Sequence, residues 1–213
     1  MCSLKLNSGK FIMSYSDFTL KTVQEKFQLT LVDSDDLFSD ISEIVVNPNL
    51  AEMLNYNVPL ATAMATEKAK SEFIVAPILL EIKKLLKNKI SFFSGAALDV
   101  DKEKGLSGFC DFIISQSPEQ LYLIAPIITL VEAKNDNITN GLGQCVAEMY
   151  AAHLFNQNEG LELPVIYGVV TTGNQWKFLK LENNYVYIDM RDYYIVQVEK
   201  ILAILVAMVS KVG

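Results

Sequence analysis

Residues 121–134, LYLIAPIITLVEAK, form a long apolar segment that ends abruptly in Glu-Ala-Lys. β-Branched residues are concentrated in its second half, which is typical of a strand buried on both faces of a sheet. Such a strand needs other layers packed against both of its faces. The segment therefore predicts the centre of a three-layer α/β or α+β domain, in which a mixed central sheet is flanked by helices.

The sequence around this strand gives an ordered series of further elements. A long helix is predicted over 66–87, with a kink or break at Pro77, because proline has no backbone N–H to donate. The remaining core predictions are strands over 90–100 and 106–115, the strand at 121–134, a helix over 142–157, and strands over 163–172, 174–181 and 185–189. Gly173-Asn174 is predicted to form a hairpin turn.

The two ends of the chain predict additions to this core. Residues 1–62 predict an extension of short helices, with a helix over 17–27, a strand over 28–32, a helix over 34–45 and turn-rich connectors over 47–59. Residues 191–213 predict a helix that is apolar on nearly every side. Such a helix either threads the core or forms a homodimer interface.

Length and composition narrow the class of protein. A chain of 213 residues with 51% hydrophobic residues predicts one folded domain over 1–213, with its core at 66–190. Three widely spaced cysteines and one histidine argue against a disulfide framework and a Cys/His zinc site. No apolar signal region follows the N-terminal lysines, and the apolar run at 201–209 is too short to span a bilayer. These features favour a cytoplasmic protein.

The charge of the chain is unevenly distributed. The net charge is −7, yet residues 66–104 hold 8 lysines and 6 acids. This lysine cluster either forms a solvated surface or contacts phosphates without reading base sequence. With Arg191 as the one arginine, we expect any binding of DNA to be weakly sequence-specific. The lysines of the cluster are Lys68, Lys70, Lys83, Lys84, Lys87, Lys89, Lys102 and Lys104.

Three polar residues interrupt the predicted core strands. Asp111 lies inside the strand at 106–115, and Glu132 and Lys134 end the central strand. Residues i and i+2 of a strand project from the same face, so Glu132 and Lys134 point together. Two carboxylates on neighbouring strands form an oxygen-rich site suited to Mg²⁺, with the Ala133 carbonyl as a third ligand. A lysine beside such an ion can position an attacking water and stabilise phosphoryl charge.

This pattern of an in-strand aspartate followed by Glu-x-Lys resembles the PD-(D/E)xK nuclease superfamily, over about residues 66–190. The resemblance implies a restriction endonuclease-like αβββαβ core and a Mg²⁺- or Mn²⁺-dependent DNA endonuclease. It assigns Asp111, Glu132 and Lys134 to catalysis, with Glu72 of the first helix as a further metal ligand and Gln144 of the following helix as a phosphate or water contact. The hairpin TTGNQW at 171–176 is similar to that of type I restriction-subunit nuclease domains.

The sequence also departs from that family. Cys110 stands where the motif name has proline, and Glu148 stands where RecB-like members have a tyrosine four residues after the glutamine. Glu81, about half a helical turn out of phase with Glu72, is the other candidate acid on the first helix. The alternative function is a nuclease-like module without activity, which serves as a scaffold or as a subunit of a larger complex.

Overall fold

The computed structural model describes residues 13–34 and 36–210. Its helices are α1 (Leu20–Phe27), α2 (Pro48–Met64), α3 (Glu67–Lys70), α4 (Ala76–Leu85), α5 (Thr139–Asn158) and α6 (Val198–Ser210). Its strands are β1 (Thr30–Ser34), β2 (Ser91–Ala97), β3 (Phe109–Ser115), β4 (Ile127–Ala133), β5 (Val165–Thr171), β6 (Gln175–Glu182), β7 (Tyr185–Asp189) and β8 (Tyr193–Tyr194).

The eight strands form one mixed sheet with the order β1-β7-β6-β5-β4-β3-β2, and β8 pairs with the end of β6. Two pairs are parallel, β1 with β7 and β4 with β5, and the remaining pairs are antiparallel. Helix α5 connects the parallel strands β4 and β5, as a crossover between parallel neighbours requires.

Helices cover both faces of this sheet. Helices α2, α4 and α6 pack on one face, against side chains such as Phe112 and Val131. Helices α1 and α5 pack on the other, against side chains such as Ile113 and Leu130. All seven residues of β4 are buried between the two layers. The prediction of a mixed α/β fold with a buried central strand and flanking helices is confirmed. The bounds predicted for that strand, 121–134, were wrong at the N-terminal end: residues 121–126 are irregular, with Leu121 and Tyr122 exposed, and the strand begins at Ile127.

The helix predicted over 66–87 is continuous but irregular. Its residues Ser71–Val75 form a π-helical turn between α3 and α4, directly before Pro77. In a regular α-helix the N–H of residue 77 would donate to the carbonyl of Phe73. Proline cannot donate, and the Asn57 side chain of α2 donates to the Phe73 carbonyl instead, at 2.9 Å. The expected break at Pro77 is therefore a change of helix type whose freed carbonyl is satisfied by a neighbouring helix.

The helix predicted over 34–45 was wrong. Residues 36–47 contain only turns and irregular backbone. The carbonyls of Phe38 and Ile41 accept hydrogen bonds from the Lys200 ammonium of α6, and the Asp36 carboxylate accepts from the Phe38 N–H at 3.2 Å. The Ile44 N–H donates to the Glu199 carbonyl of α6 at 3.5 Å, whereas in a helix it would donate to the carbonyl of Asp40. Contacts with α6 therefore take the place of helical hydrogen bonds in this segment.

The connectors predicted over 47–59 were wrong as well, because this segment lies in α2. Asn47 caps the helix by accepting from the Asn49 N–H at 3.0 Å, and Pro48 occupies the first turn, where its missing N–H costs nothing. Leu50 and Leu54 then bury one face of the helix. Burial of that face overrides the unfavourable Pro59 inside the helix.

The C-terminal segment is only partly helical. Helix α6 begins at Val198, since residues 193–197 form β8 and a 3₁₀ turn, and residues 211–213 of the predicted helix lie outside the described part. Its apolar residues, Ile201, Leu202, Ile204, Leu205, Met208 and Val209, are buried against the sheet and α4 of the same chain. Burial in the core, the first of the two alternatives, thus accounts for its composition. Among the described residues, no helix combines the length and apolarity needed to cross a membrane.

We expect Asn57→Ala to lower the free energy of unfolding by about 1 kcal/mol, because it leaves the Phe73 carbonyl without its donor. Asn55→Ala, an exposed position on the same helix, is the control and should change stability far less. Urea denaturation of both variants measures the difference. Equal stability of the two variants would contradict a role for Asn57 in satisfying the π-helical turn.

Candidate active site

Asp111 and Glu132 lie on the adjacent antiparallel strands β3 and β4. The Asp111 Oδ2 accepts a hydrogen bond from the Ala133 backbone N–H at 2.8 Å. Asp111 is partly buried, whereas the Glu132 side chain is 2% exposed. The pairing of the two strands therefore brings both carboxylates to one end of β4, as the sequence predicts.

Lys134 follows the last residue of β4. Its backbone N–H donates to the Thr171 carbonyl at the end of β5, at 2.7 Å, which continues the parallel ladder past the strand. Its ammonium Nζ lies 2.5 Å from Glu132 Oε1 and 3.0 Å from Gln144 Oε1. The expectation that Glu132 and Lys134 share a face is confirmed, and Gln144 of α5 joins them.

Helix α5 approaches the end of β4 closely because Gly141 has no side chain. A Cβ at this position would lie 2.7 Å from Val170 Cγ1 and 3.0 Å from Lys134 Cγ. One turn further along, the Gln144 Nε2 donates to Glu148 Oε1 at 3.0 Å. Glu148 is fully buried. A chain of hydrogen bonds thus runs from β4 through Lys134 and Gln144 to Glu148 inside α5.

The carboxylates of this cluster are held in a poorly solvated setting. Burial, with repulsion from Asp111, raises the pKa of Glu132 to about 7. Burial also raises the pKa of Asp111, and burial together with the charge of Glu132 raises the pKa of Glu148. Burial opposes the charged form of Lys134, but the hydrogen bond to Glu132 and the combined attraction of Glu132, Glu67 and Asp111 outweigh it, so the pKa of Lys134 is raised.

Two carboxylate oxygens of the cluster are buried without a hydrogen-bond partner among the described residues. They are Glu132 Oε2 and Glu148 Oε2. An unpartnered buried carboxylate oxygen is costly unless a proton, a water or a cation satisfies it. Both acids therefore retain the capacity to accept one further interaction.

A cleft of about 250 Å³ opens beside Asp111 and Ala133. Its other walls are the start of the first core helix and the middle of β2. The lining residues are Glu67, Lys68, Ser71, Glu72, Ser94, Gly95, Asp111 and Ala133. Glu132 and Lys134 lie outside this lining, so Asp111 is the member of the predicted triad that faces the open space.

The structure distinguishes the two candidate acids of the first helix. Glu72 lines the cleft, where its side chain is 56% exposed and lies 3.7 Å from Lys68. Glu81 is buried elsewhere on α4 and pairs with Lys84 at 3.3 Å. Of the two, only Glu72 is near Asp111, in agreement with the preference for it. Within the described residues, no group of three or more His, Cys, Asp or Glu side chains is arranged to hold a metal ion.

Most of the eight lysines over 66–104 are not free cations. Lys102 lies 2.9 Å from Asp99, Lys104 lies 3.0 Å from Asp101, and Lys68 and Lys84 are paired with Glu72 and Glu81. Two further lysines, Lys70 and Lys83, contact loop residues.

Those two lysines make inward or cross-loop contacts. The buried Lys70 donates to the backbone and side chain of Asn135, and Lys83 donates to Gln120 Oε1. Contacts within the chain therefore engage part of the lysine cluster.

Sequence reasoning missed two acids near the site. Glu148 shares its helix face with the buried residues Cys145, Ala151 and Ala152, three or four positions away, so an acid on an apolar helix face was the signal available for it. Glu67, at the start of α3, lines the cleft, and its charge affects the pKa of both Glu132 and Lys134. Nothing in the local pattern distinguishes Glu67 from an ordinary acid in a first helical turn.

Comparison of the sequence with protein families and with curated proteins gave no match. The chemistry of this site has therefore to be argued from its own residues.

We expect Glu148→Gln to change how stability depends on pH. The pKa of Glu148 is raised in the folded state, so the wild type loses stability as pH rises above the ordinary pKa of glutamate, where the unfolded chain ionises more readily. The variant has no carboxyl group at position 148, so it does not lose stability in this way. The difference in unfolding free energy between variant and wild type should therefore grow in favour of the variant by up to about 1.4 kcal/mol per pH unit above pH 5.

Urea denaturation in metal-free buffer at several pH values between about 5 and 8 measures this trend. A difference in unfolding free energy that does not change with pH for Glu148→Gln would contradict the raised pKa of Glu148.

Proposed function

We propose that the protein is a metal-dependent phosphodiester hydrolase acting on DNA, with a restriction endonuclease-like core of the PD-(D/E)xK type. The observation that carries the proposal is the meeting of Asp111, Glu132 and Lys134 at the end of β4, beside an open cleft. Two carboxylates can hold a divalent cation, and such a cation together with a lysine can stabilise the charge that develops on a phosphate.

The order of elements supports this assignment. From Glu67 to Thr171 the chain runs through helix, three antiparallel strands, helix and a parallel strand. Asp111 lies on the second of these strands and Glu132 on the third. The similarity to type I restriction-subunit hairpins gains support from Trp176, which is buried and donates from Nε1 to the Gly173 carbonyl at 2.9 Å.

The donor atoms present fit a hard divalent cation. Asp111 is a carboxylate at the cleft, Glu132 has a buried oxygen without a partner, and Ala133 lines the same cleft. Mg²⁺ is commonly held by one or two carboxylates and keeps several waters, so it does not need a third acid. Asp111, Glu132 and the Ala133 carbonyl would hold Mg²⁺ or Mn²⁺, with Glu72 as an additional ligand. The ion would supply Lewis-acid stabilisation of phosphate charge and acidify a water.

Lys134 and Gln144 supply the remaining contacts. The Lys134 ammonium has three protons, and Glu132 Oε1 and Gln144 Oε1 accept two of them. The third proton is available to a phosphate oxygen or an attacking water. Two fixed acceptors hold the cation in one orientation before substrate binds, which is the preorganisation that makes electrostatic stabilisation effective.

The partners belong to the same proposal. DNA would be bound through its backbone, with little sequence preference, by Lys87 and Lys89 together with those cluster lysines that exchange an acid of the chain for a phosphate. A homodimer through residues 191–213 and a cytoplasmic location stay predictions from the sequence.

The second candidate is a nuclease-fold module without activity, which acts as a scaffold or subunit. Two observations favour it. Most lysines of the basic cluster are engaged within the chain, and the chain as a whole carries a net charge of −7. Retention of Asp111 beside the Glu132–Lys134 ion pair favours the enzyme, because an inactive scaffold has no need for costly buried acids.

We expect Asp111→Asn to lose tight binding of Mg²⁺ and Mn²⁺, with affinity reduced at least about tenfold, since it removes a charged ligand but keeps the acceptor for the Ala133 N–H. Calorimetric titration of the wild type and the variant measures the change. Asp101→Asn, which alters a carboxylate outside the cleft, is the control. Equal binding by the wild type and Asp111→Asn, or none by either, would favour the scaffold.

We expect Lys134→Met to lower kcat for cleavage of plasmid DNA by about 100- to 1,000-fold while the fold persists, because it removes the cation at the reacting phosphate. Lys180→Met is a close match, since Lys180 pairs with Glu182 two residues along β6, at 3.1 Å, as Lys134 pairs with Glu132. This control should cleave at the wild-type rate. Full activity of Lys134→Met in the presence of Mg²⁺ would exclude the mechanism.

A further inference from the structure

Glu148 is the most deeply buried acid of the protein's candidate site, and the proposed mechanism gives it no role. It is fully buried, and among the described residues its one hydrogen bond to the site comes from Gln144. Its neighbours in the sequence, Ala147 and Met149, are apolar and also fully buried. An apolar residue would fill such a position at lower cost, because a buried carboxyl group loses its hydration. A buried acid in this place calls for an explanation.

The contacts of Gln144 supply one. Its side-chain amide lies between a donor and an acceptor, with Oε1 facing the Lys134 ammonium at 3.0 Å and Nε2 facing Glu148 Oε1 at 3.0 Å. If the amide turned over, Nε2 would face the ammonium and Oε1 would face the carboxyl oxygen. The contact with Lys134 would then join two donors and be lost, and the contact with Glu148 would join two acceptors whenever Glu148 Oε1 carries no proton.

We infer that Glu148 is a positioning residue: its buried carboxyl group fixes the orientation of the Gln144 amide, so that Oε1 is held toward the Lys134 ammonium. This inference rests on the proposed function for its catalytic consequence, while the hydrogen-bond arrangement itself does not.

The carboxyl group of Glu148 can do this in either protonation state. When ionised, both of its oxygens accept. When neutral, the proton can reside on Oε2, which has no other partner in the described chain, and Oε1 still accepts from Gln144. The orienting contact is therefore maintained over a wide pH range, and an amide at position 148 can also provide an acceptor.

The consequence for Lys134 concerns its orientation. Glu132 Oε1 alone would fix one N–H direction and leave the ammonium free to rotate about it. Gln144 Oε1 fixes a second direction and so determines where the remaining proton points. Residues that orient a catalytic group from behind are typically worth about 10- to 100-fold in activity.

The test compares Glu148→Met with Glu148→Gln in cleavage of supercoiled plasmid DNA with Mg²⁺. Glu148→Met removes the acceptor and should lower kcat about 10- to 100-fold with little change in KM. Glu148→Gln keeps an acceptor and should restore kcat to within about threefold of the wild type, which a purely structural loss would not explain. Asn156→Leu is the stability control, because Asn156 is buried on the same helix but bonds to Ile127, away from the site.

A double-mutant cycle with Gln144→Met makes the test sharper. Since Glu148 acts through Gln144, Glu148→Met should have no further effect on kcat in the Gln144→Met background. Additive losses, or full kcat in Glu148→Met alone, would overturn the positioning role.

A second readout does not depend on activity. The exchange rate of the Gln144 side-chain amide protons, followed by ¹⁵N NMR and assigned with Gln144→Met, should rise at least about tenfold in Glu148→Met and remain slow in Glu148→Gln. If the wild type cleaves no plasmid but the exchange rates behave in this way, the proposed function fails and the coupling of Glu148 to Gln144 stands. Unchanged exchange in Glu148→Met would overturn the coupling itself.

Discussion

The ammonium of Lys134 joins the sheet to helix α5, and the rest of the candidate site is arranged around it. Glu132 Oε1 of the sheet and Gln144 Oε1 of the helix both accept from it. Without this cation, three buried or partly buried acids, Asp111, Glu132 and Glu148, would repel one another at the centre of the domain. The positive charge of Lys134 offsets this repulsion, and in the proposed function the same charge would contact a phosphate.

Local periodicity was enough to predict which residues of β3 and β4 meet in the candidate site, but not the helix residues that contact them. Alternation along β4 places Glu132 and Lys134 on one side, and strand pairing brings Asp111 beside them, so two-residue spacing and strand order sufficed. The contact from Gln144 to Glu148 is an i, i+4 contact within α5, but the contact of Gln144 with Lys134 depends on the rotation of α5 against the sheet, which Gly141 and its close neighbours determine. Rotation of a packed helix is a tertiary property, and no pattern within α5 encodes it.

The same distinction separates the core from the N-terminal region. Core strands and α5 carry strong apolar patterns of their own, so the sequence predicts them directly. The backbone conformation of residues 36–47 depends on Lys200 of α6 more than on the capping residues within the segment. The Lys200 ammonium donates hydrogen bonds to the carbonyls of Phe38 and Ile41. In α2, burial of Leu50 and Leu54 overrides turn-forming asparagines and Pro59. The sequence pattern within a segment does not predict its secondary structure where contacts with distant residues determine the backbone conformation.

The π-helical turn at Ser71–Val75 lets the first core helix hold one residue more than a regular α-helix of the same length. Its hydrogen bond runs from residue i to i+5, whereas an α-helical turn closes from i to i+4. Removal of one residue within the turn would therefore give a regular α-helix and leave α3 and α4 in nearly the same relative rotation. Glu67 and Lys68 would keep their places at the cleft, and Ile78 and Ile82 theirs in the core. The turn thus absorbs one residue of chain length without changing the surface that either end of the helix presents.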